Sequence, residues 1–139
     1  MIGKKISFKS FEGETQTTTE YFNLNRRELL AIASKYAPQT ASLEGVSKKL
    51  TENGDLAEQL RFMDDVILSA YGRRDADGIV FQKSQAIRDT FKNSVVYDQL
   101  FNELLNNEEE MKRFIAGVPQ ENISESPVKA VKAPSPAQN

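Results

Sequence analysis

The sequence contains no histidine, no cysteine and no tryptophan. Histidine is the side chain that titrates near neutrality, so its absence removes the commonest general base. Without cysteine there is no thiol nucleophile, no sulfur ligand for zinc and no disulfide to compensate for a small core. Glycine-rich phosphate loops are also missing, with neither GxGxxG nor a Walker lysine present. The scattered Ser47-Lys48 pair does not make a nucleophile and base. No catalytic residue, metal site or cofactor is expected, and the chain is read as non-enzymatic. No stretch approaches the roughly 20 apolar residues that cross a bilayer, and Met1 to Phe11 has no apolar core of signal-peptide length. A membrane partner and secretion are not expected. With 18 basic and 20 acidic residues the net charge is −2, which gives no bulk positive field to draw in nucleic acid.

What is present suits an ordinary globular protein: 139 residues, of which 39% are apolar and 27% charged, enough for one core. Lys4 to Ser10 alternates polar and apolar residues, as a half-buried strand does, with Ile6 and Phe8 inward. Thr15 to Phe22 is rich in threonine and aromatics, and Gly13 between the two runs suits a tight turn, so a β-hairpin is expected. Lys4, Lys5 and Lys9 cluster on it, as a basic patch or as a solvated strand face.

Helix signals follow. Asn25 is an N-cap with Glu28 placed to close a capping box, Leu29, Ile32, Ala33 and Tyr36 recur at helical spacing, and Pro38 stops the run. Leu43, Val46 and Leu50 fit a short helix ending at Asn53-Gly54. Asp55 caps a helix with a wide apolar stripe that Gly72 is expected to end. The next stretch, Arg73 to Gly78, reads as a polar loop, and Ile79-Val80-Phe81 as a brief strand added to the hairpin. Ser84 caps a helix that runs on or bends near Ser94, and Ser94 to Asn106 is helical. A last short helix starts at Asn107 and closes at Gly117 and Pro119. The fold class is therefore α+β, mainly α-helical, with an N-terminal β-hairpin packed on a bundle of about four to five short helices. Residues 1–118 form a single globular domain on this reading, with the hairpin at about 4–22 and the helices at about 25–118. Residues 119–139, with three further prolines and few large apolar residues, read as a flexible, disordered tail.

Few motifs offer chemistry. Asp75-Ala76-Asp77-Gly78 is a poor calcium loop, because Arg73 and Ser84 stand where oxygen ligands belong, and a structural turn is the better reading. The acidic pairs and runs, Asp64-Asp65 and Glu108-Glu109-Glu110, read as solvated helix positions or helix-dipole partners rather than an acid and base. The aromatic set is more informative. Phenylalanines in a chain without tryptophan belong in the core, while aromatics with a polar end are common in interfaces. The candidate partner-binding residues are Tyr71, Phe81, Tyr97, Phe101 and Phe114.

These same residues carry a resemblance. Leu68-Ser69-Ala70-Tyr71-Gly72, Asp77-Gly78, Phe81, Lys83-Ser84, Phe91, Ser94, Tyr97, Leu100-Phe101, Glu103-Leu104, Phe114-Ile115 and Pro119 stand in a specific order and spacing. With Tyr21-Phe22-Asn23-Leu24 and Glu28-Leu29 upstream, the stretch from Ile6 to Pro119 resembles the tail assembly chaperones of long-tailed bacteriophages (siphophages). It departs from that family at Ile79 and Val80, where basic residues are usual, and at Val96, where alanine is usual. The resemblance implies a protein of the host bacterial cytoplasm that binds the tape-measure protein, keeps it soluble and helps recruit tail-tube subunits. It also implies that the protein then leaves, often self-associating while it acts. A longer product made by frameshifting is known in the family, and the segment after Pro119 is where such products would diverge. The surface formed by the helix after Asp55 and the helix after Ser94 is the expected client site. Two other readings are a virion component, such as a connector or tail-completion subunit, and a small nucleic-acid-binding regulator using Arg26-Arg27 and Arg73-Arg74.

Overall fold

The computed structural model describes residues 1–120. The chain opens with two strands, β1 (Ile2–Lys9) and β2 (Thr15–Phe22), paired antiparallel in unbroken register from Ile2 opposite Phe22 to Lys9 opposite Thr15. Gly13, at φ +91°, supplies the left-handed residue of their turn. Six helices follow: α1 (Arg26–Tyr36), α2 (Leu43–Asn53), α3 (Leu56–Ala70), α4 (Gln85–Lys92), α5 (Val95–Asn106) and α6 (Glu108–Gly117). Between α3 and α4 lie β3 (Tyr71–Arg74) and β4 (Phe81–Gln82). The sheet order is β1-β2-β3-β4, antiparallel throughout. This is the α+β, mainly helical architecture expected from the sequence.

The helix starts follow from local chemistry. Asn25 accepts from the Glu28 amide at 2.8 Å while the Glu28 carboxylate accepts from the Asn25 amide at 3.0 Å, a complete capping box. Ser42, Asp55, Ser84, Ser94 and Asn107 cap the other helices in the same way through one side-chain acceptor each. Because Ser94 caps a new helix, the chain breaks there instead of running on, which brings the helix count to six.

Three expectations shift. The third helix stops at Ala70, not at Gly72, because Tyr71 and Gly72 are drawn into strand pairing with Phe22 and Tyr21. The added strand is Phe81–Gln82, and it pairs with β3 rather than with the hairpin. Ile79 and Val80 instead lie exposed in the β3–β4 turn, where Gly78 takes φ +71°. At the far end, Leu24 bonds the Val118 carbonyl through its amide, and its own carbonyl accepts from Gln120, so pairing continues two residues past Val118. The remainder of the proposed tail lies outside the described residues.

Side chains alternate across the sheet. Ile2, Lys4, Ile6 and Phe8 of β1 point toward the helices, and Gly3, Lys5, Ser7 and Lys9 point away. Phe22 is the hub of the core: its ring lies 5.1 Å from Phe114, 5.7 Å from Tyr71 and 6.0 Å from Phe91, each tilted or edge-on as aromatic quadrupoles prefer. Tyr71 stacks on Phe91 with centroids 3.8 Å apart. Among the described residues no helix is long and apolar enough to cross a membrane.

Candidate functional site

A groove of about 870 Å³ is walled by four helices. Its walls include Leu50 from α2, Phe62 and Met63 from α3, Leu105 from the end of α5, and Met111 and Ile115 from α6. Leu50, Phe62, Met63 and Ile115 are themselves buried and form the floor, and the half-buried Met111 and exposed Leu105 present most of the apolar surface. Leu105 is 46% exposed. Glu44, Lys48, Glu52, Glu108 and Lys112 edge the groove with charge of both signs. Two methionines in the lining supply flexible, polarizable surface of the kind that adapts to varied apolar partners.

The walls are held by polar clamps that the sequence did not reveal. Asp64 and Asp65, adjacent on α3, point to opposite sides. Asp65 accepts from the Tyr36 hydroxyl of α1 at 2.5 Å and from Lys35 at 2.8 Å, and Asp64 accepts from the Tyr97 hydroxyl of α5. The pair read as solvated therefore ties α3 to its two neighbours. Burial pushes the Asp64 carboxyl above the usual carboxylate range, its neighbour Asp65 adds to this, and Lys92 offsets part of it. Burial likewise pushes the Tyr71 hydroxyl, which donates to Glu20 at 2.9 Å, up to about 12.

Two lysines act as staples. Lys83 donates to the Asn23 carbonyl at 2.6 Å, to the Glu28 carboxylate at 2.7 Å and to the Ser69 carbonyl at 2.8 Å. It thus joins the end of β2, the capping box of α1 and the last turn of α3, where a cation complements the helix dipole. Burial holds it below the ordinary lysine range despite Glu28. Lys4 is turned inward from β1 and bonds Glu103 of α5 and Glu110 of α6, each at 2.6 Å. Burial lowers its pKa, but the two carboxylates outweigh that and raise it overall. The basic cluster of the sequence is thereby split, since Lys5 and Lys9 stay exposed. Glu110 is held below its usual range by its bond to Lys4, and Arg113 pairs with it as well. The Asp75 carboxylate accepts from the Ile79 and Val80 amides at 2.9 and 3.1 Å, which organises the turn.

The five candidate partner-binding residues are dispersed. Tyr71 (5% exposed), Tyr97 (7%) and Phe114 (1%) have their rings in the core, where they fill space around Phe22 and Phe91, and Tyr71 also borders a second cleft beside β2 and β3. Phe101 is half-buried and sits one turn before Leu105 on α5, so it shares the exposed side of that helix. Phe81 is half-buried on the far face of the sheet, its ring lying over Gly72. The α3 and α5 surfaces expected to meet a client do line the groove, together with α2 and α6, which the sequence reading did not single out. Leu50, Met63, Met111 and Ile115 read in the sequence as inward-facing helix positions, and so does Leu105 through the row Tyr97, Phe101 and Leu105, but Leu105 is 46% exposed because no other element covers the end of α5.

No curated protein and no solved structure matches the chain. One family model, that of the phage tail assembly chaperones, matches residues 1–138, nearly the whole sequence. The chain belongs to the phage tail assembly chaperone family.

Proposed function

We propose that the groove between α2, α3, α5 and α6 holds an amphipathic helical segment of the phage tape-measure protein, keeping that client soluble in the host bacterial cytoplasm while tail-tube subunits are recruited. The observation that carries this reading is the groove itself, apolar inside and charged at its edge, the form that receives the apolar face of a helix through anchors at i, i+3, i+4 and i+7. No bond is made or broken in this role, so the protein acts as a binding chaperone and not as an enzyme.

Co-expression of the tape-measure protein with and without this chain tests the proposal. The wild-type chain raises the soluble yield of the client, and Leu105→Glu, at an exposed position, keeps its fold and loses the effect. Equal solubility with and without the chain would refute it. Mass spectrometry of purified particles separates this role from that of a connector or tail-completion subunit, since the chaperone is absent from the finished virion.

A further inference from the structure

The sheet has an open seam that the groove reading does not use. The Asn23 amide donates to the Ala70 carbonyl at 2.8 Å, and Tyr21 then pairs with Gly72, so the odd-numbered residues at this end of β2 direct their main chain toward β3. Backbone groups alternate sides along an antiparallel strand, and the β1–β2 register has no bulge from Phe22 to Thr15. The amides and carbonyls of Thr19, Thr17 and Thr15 therefore face the same way. β3 does not meet them: its pairing with β2 ends at Tyr21, and after Arg74 the chain turns back toward β4. An open cleft of about 550 Å³, lined by Thr19, Glu20, Tyr21, Tyr71, Arg73 and Arg74 among others, borders the Thr19 end of this edge.

The outward face of β1 and β2 beside this seam carries basic side chains, while Glu20 and Asp75 line the cleft at its Thr19 end. Lys5 and Lys9 project from the same outward face as Thr15, Thr17 and Thr19, and Arg74 lies over the Tyr21 ring on that face, 4.4 Å from its centroid. Arg73 flanks the cleft. Among the described residues none of these four cations makes an ion pair. The nearest carboxylates are already engaged, Glu20 with Tyr71 and Thr18, and Asp75 with the Ile79 and Val80 amides. Exposed strand edges are ordinarily guarded by a lysine, a proline or a bulge on the edge strand itself. The edge of β2 from Thr15 to Thr19 has only threonine and glutamine.

We propose that this edge of β2 takes an extended, acidic segment of a partner protein as an added strand. The segment's main chain pairs with Thr15, Thr17 and Thr19, and its carboxylates meet Lys5, Lys9 and Arg74 on the outward face. Carboxylate recognition follows from Lys5, Lys9 and Arg74, three cations on the outward face without an ion pair among the described residues, and a polypeptide rather than a nucleic acid follows from the seam's alternating donors and acceptors. A phosphate backbone only accepts, and would leave the three carbonyls unused. The site is separate from the helical groove, so it stands or falls independently of the client reading.

Amide hydrogen exchange and chemical-shift titration of the full, isotope-labelled chain test this. The probe is a ten-residue peptide alternating glutamate with threonine. Its comparators are the lysine-for-glutamate peptide, the glutamate peptide N-methylated on alternate amides, and a fifteen-nucleotide oligo(dT). The glutamate peptide shifts and protects the amides of Thr15, Thr17 and Thr19 saturably. Lys5→Glu with Lys9→Glu, both exposed, weakens it about tenfold or more while leaving the spectrum of the core unchanged. N-methylation abolishes the protection. Equal binding by the N-methylated peptide, the lysine peptide or the oligonucleotide would overturn the proposal, as would shifts confined to other surfaces or none at all.

Discussion

Lys83→Met is the perturbation that most directly probes how the α1, α3 and sheet elements are joined. Methionine keeps the length of the side chain and removes the charge, leaving the Asn23 and Ser69 carbonyls without this donor and Glu28 Oε1 with one donor instead of two. Glu28 retains its bond to the Asn25 amide, and the lysine's own desolvation cost is recovered. Two partly buried carbonyls left unpaired cost about 1 kcal/mol or more each, and losing one partner of a mostly buried ion pair adds a similar amount. With Lys83 only 16% exposed in its side chain, little of this is screened. The net expectation is a loss of about 2–3 kcal/mol, which for a domain of this size lowers Tm by about 10 °C. Urea titration should show the midpoint falling with an unchanged slope, since the native surface is not altered. A double-mutant cycle with Glu28→Gln isolates the ion pair and should give a coupling of about 1 kcal/mol. A loss below about 0.5 kcal/mol, or no coupling to Glu28, would refute the view of Lys83 as a three-way staple.

Other consequences are equally direct. Phe22→Ala removes the hub of three ring contacts and is expected to cost about 3–5 kcal/mol, measured by urea denaturation; a loss under about 1.5 kcal/mol would mean that Tyr71, Phe91 and Phe114 close over the void. Gly72→Ala places a Cβ 2.5 Å from the Phe81 ring and 2.8 Å from the Gln82 carbonyl, and since the latter is backbone the strain cannot be relieved by a rotamer change. It should cost about 1–3 kcal/mol and speed hydrogen exchange at Arg73 and Gln82; adding Phe81→Ala should restore only part of the loss. Asp64→Asn keeps an acceptor for Tyr97 and removes a titration. The folded-state pKa of Asp64 is raised, so the native state takes up a proton before the unfolded chain does, and the wild type gains stability relative to the variant as pH falls through that raised value toward 3.8. Thermal melts that show a pH-independent difference, or one that moves against the wild type, would contradict the sign.

What the sequence could disclose was what local chemistry decides. Asn25 with Glu28, Asp55, Ser84 and Asn107 mark helix starts whatever surrounds them, because each needs only an amide two or three residues away. β3 could not be read in the same way. Tyr71-Gly72 follows a helical stripe without a break in pattern, and its strand conformation is imposed by Phe22 and Tyr21 some fifty positions earlier. The groove stands between these cases. Leu50, Met63, Met111 and Ile115 are periodic and so were assigned inward, but whether a neighbouring helix closes over a stripe or stops short of it is a property of the assembled bundle. The aromatic candidates failed to cluster for that reason too: a ring's spacing says which face of a helix it is on, and the packing of the other elements decides whether that face is covered.

The two ends of the described chain are bound together, with the Met1 ammonium on the Pro119 carbonyl at 3.1 Å and Lys4 reaching Glu103 and Glu110. These contacts span 99 to 118 positions. Closing a loop of that length is entropically costly, and long-range contacts slow folding. During synthesis the first hairpin can zip as soon as it leaves the ribosome, but the apolar side it offers to α5 and α6 stays uncovered until more than a hundred residues have been translated. A member of a chaperone family thus passes through a stage in which its own apolar surface is unshielded. The last two helices are the step that ends that exposure, and a nascent chain stalled before Glu108 would itself be a substrate for the host's chaperones.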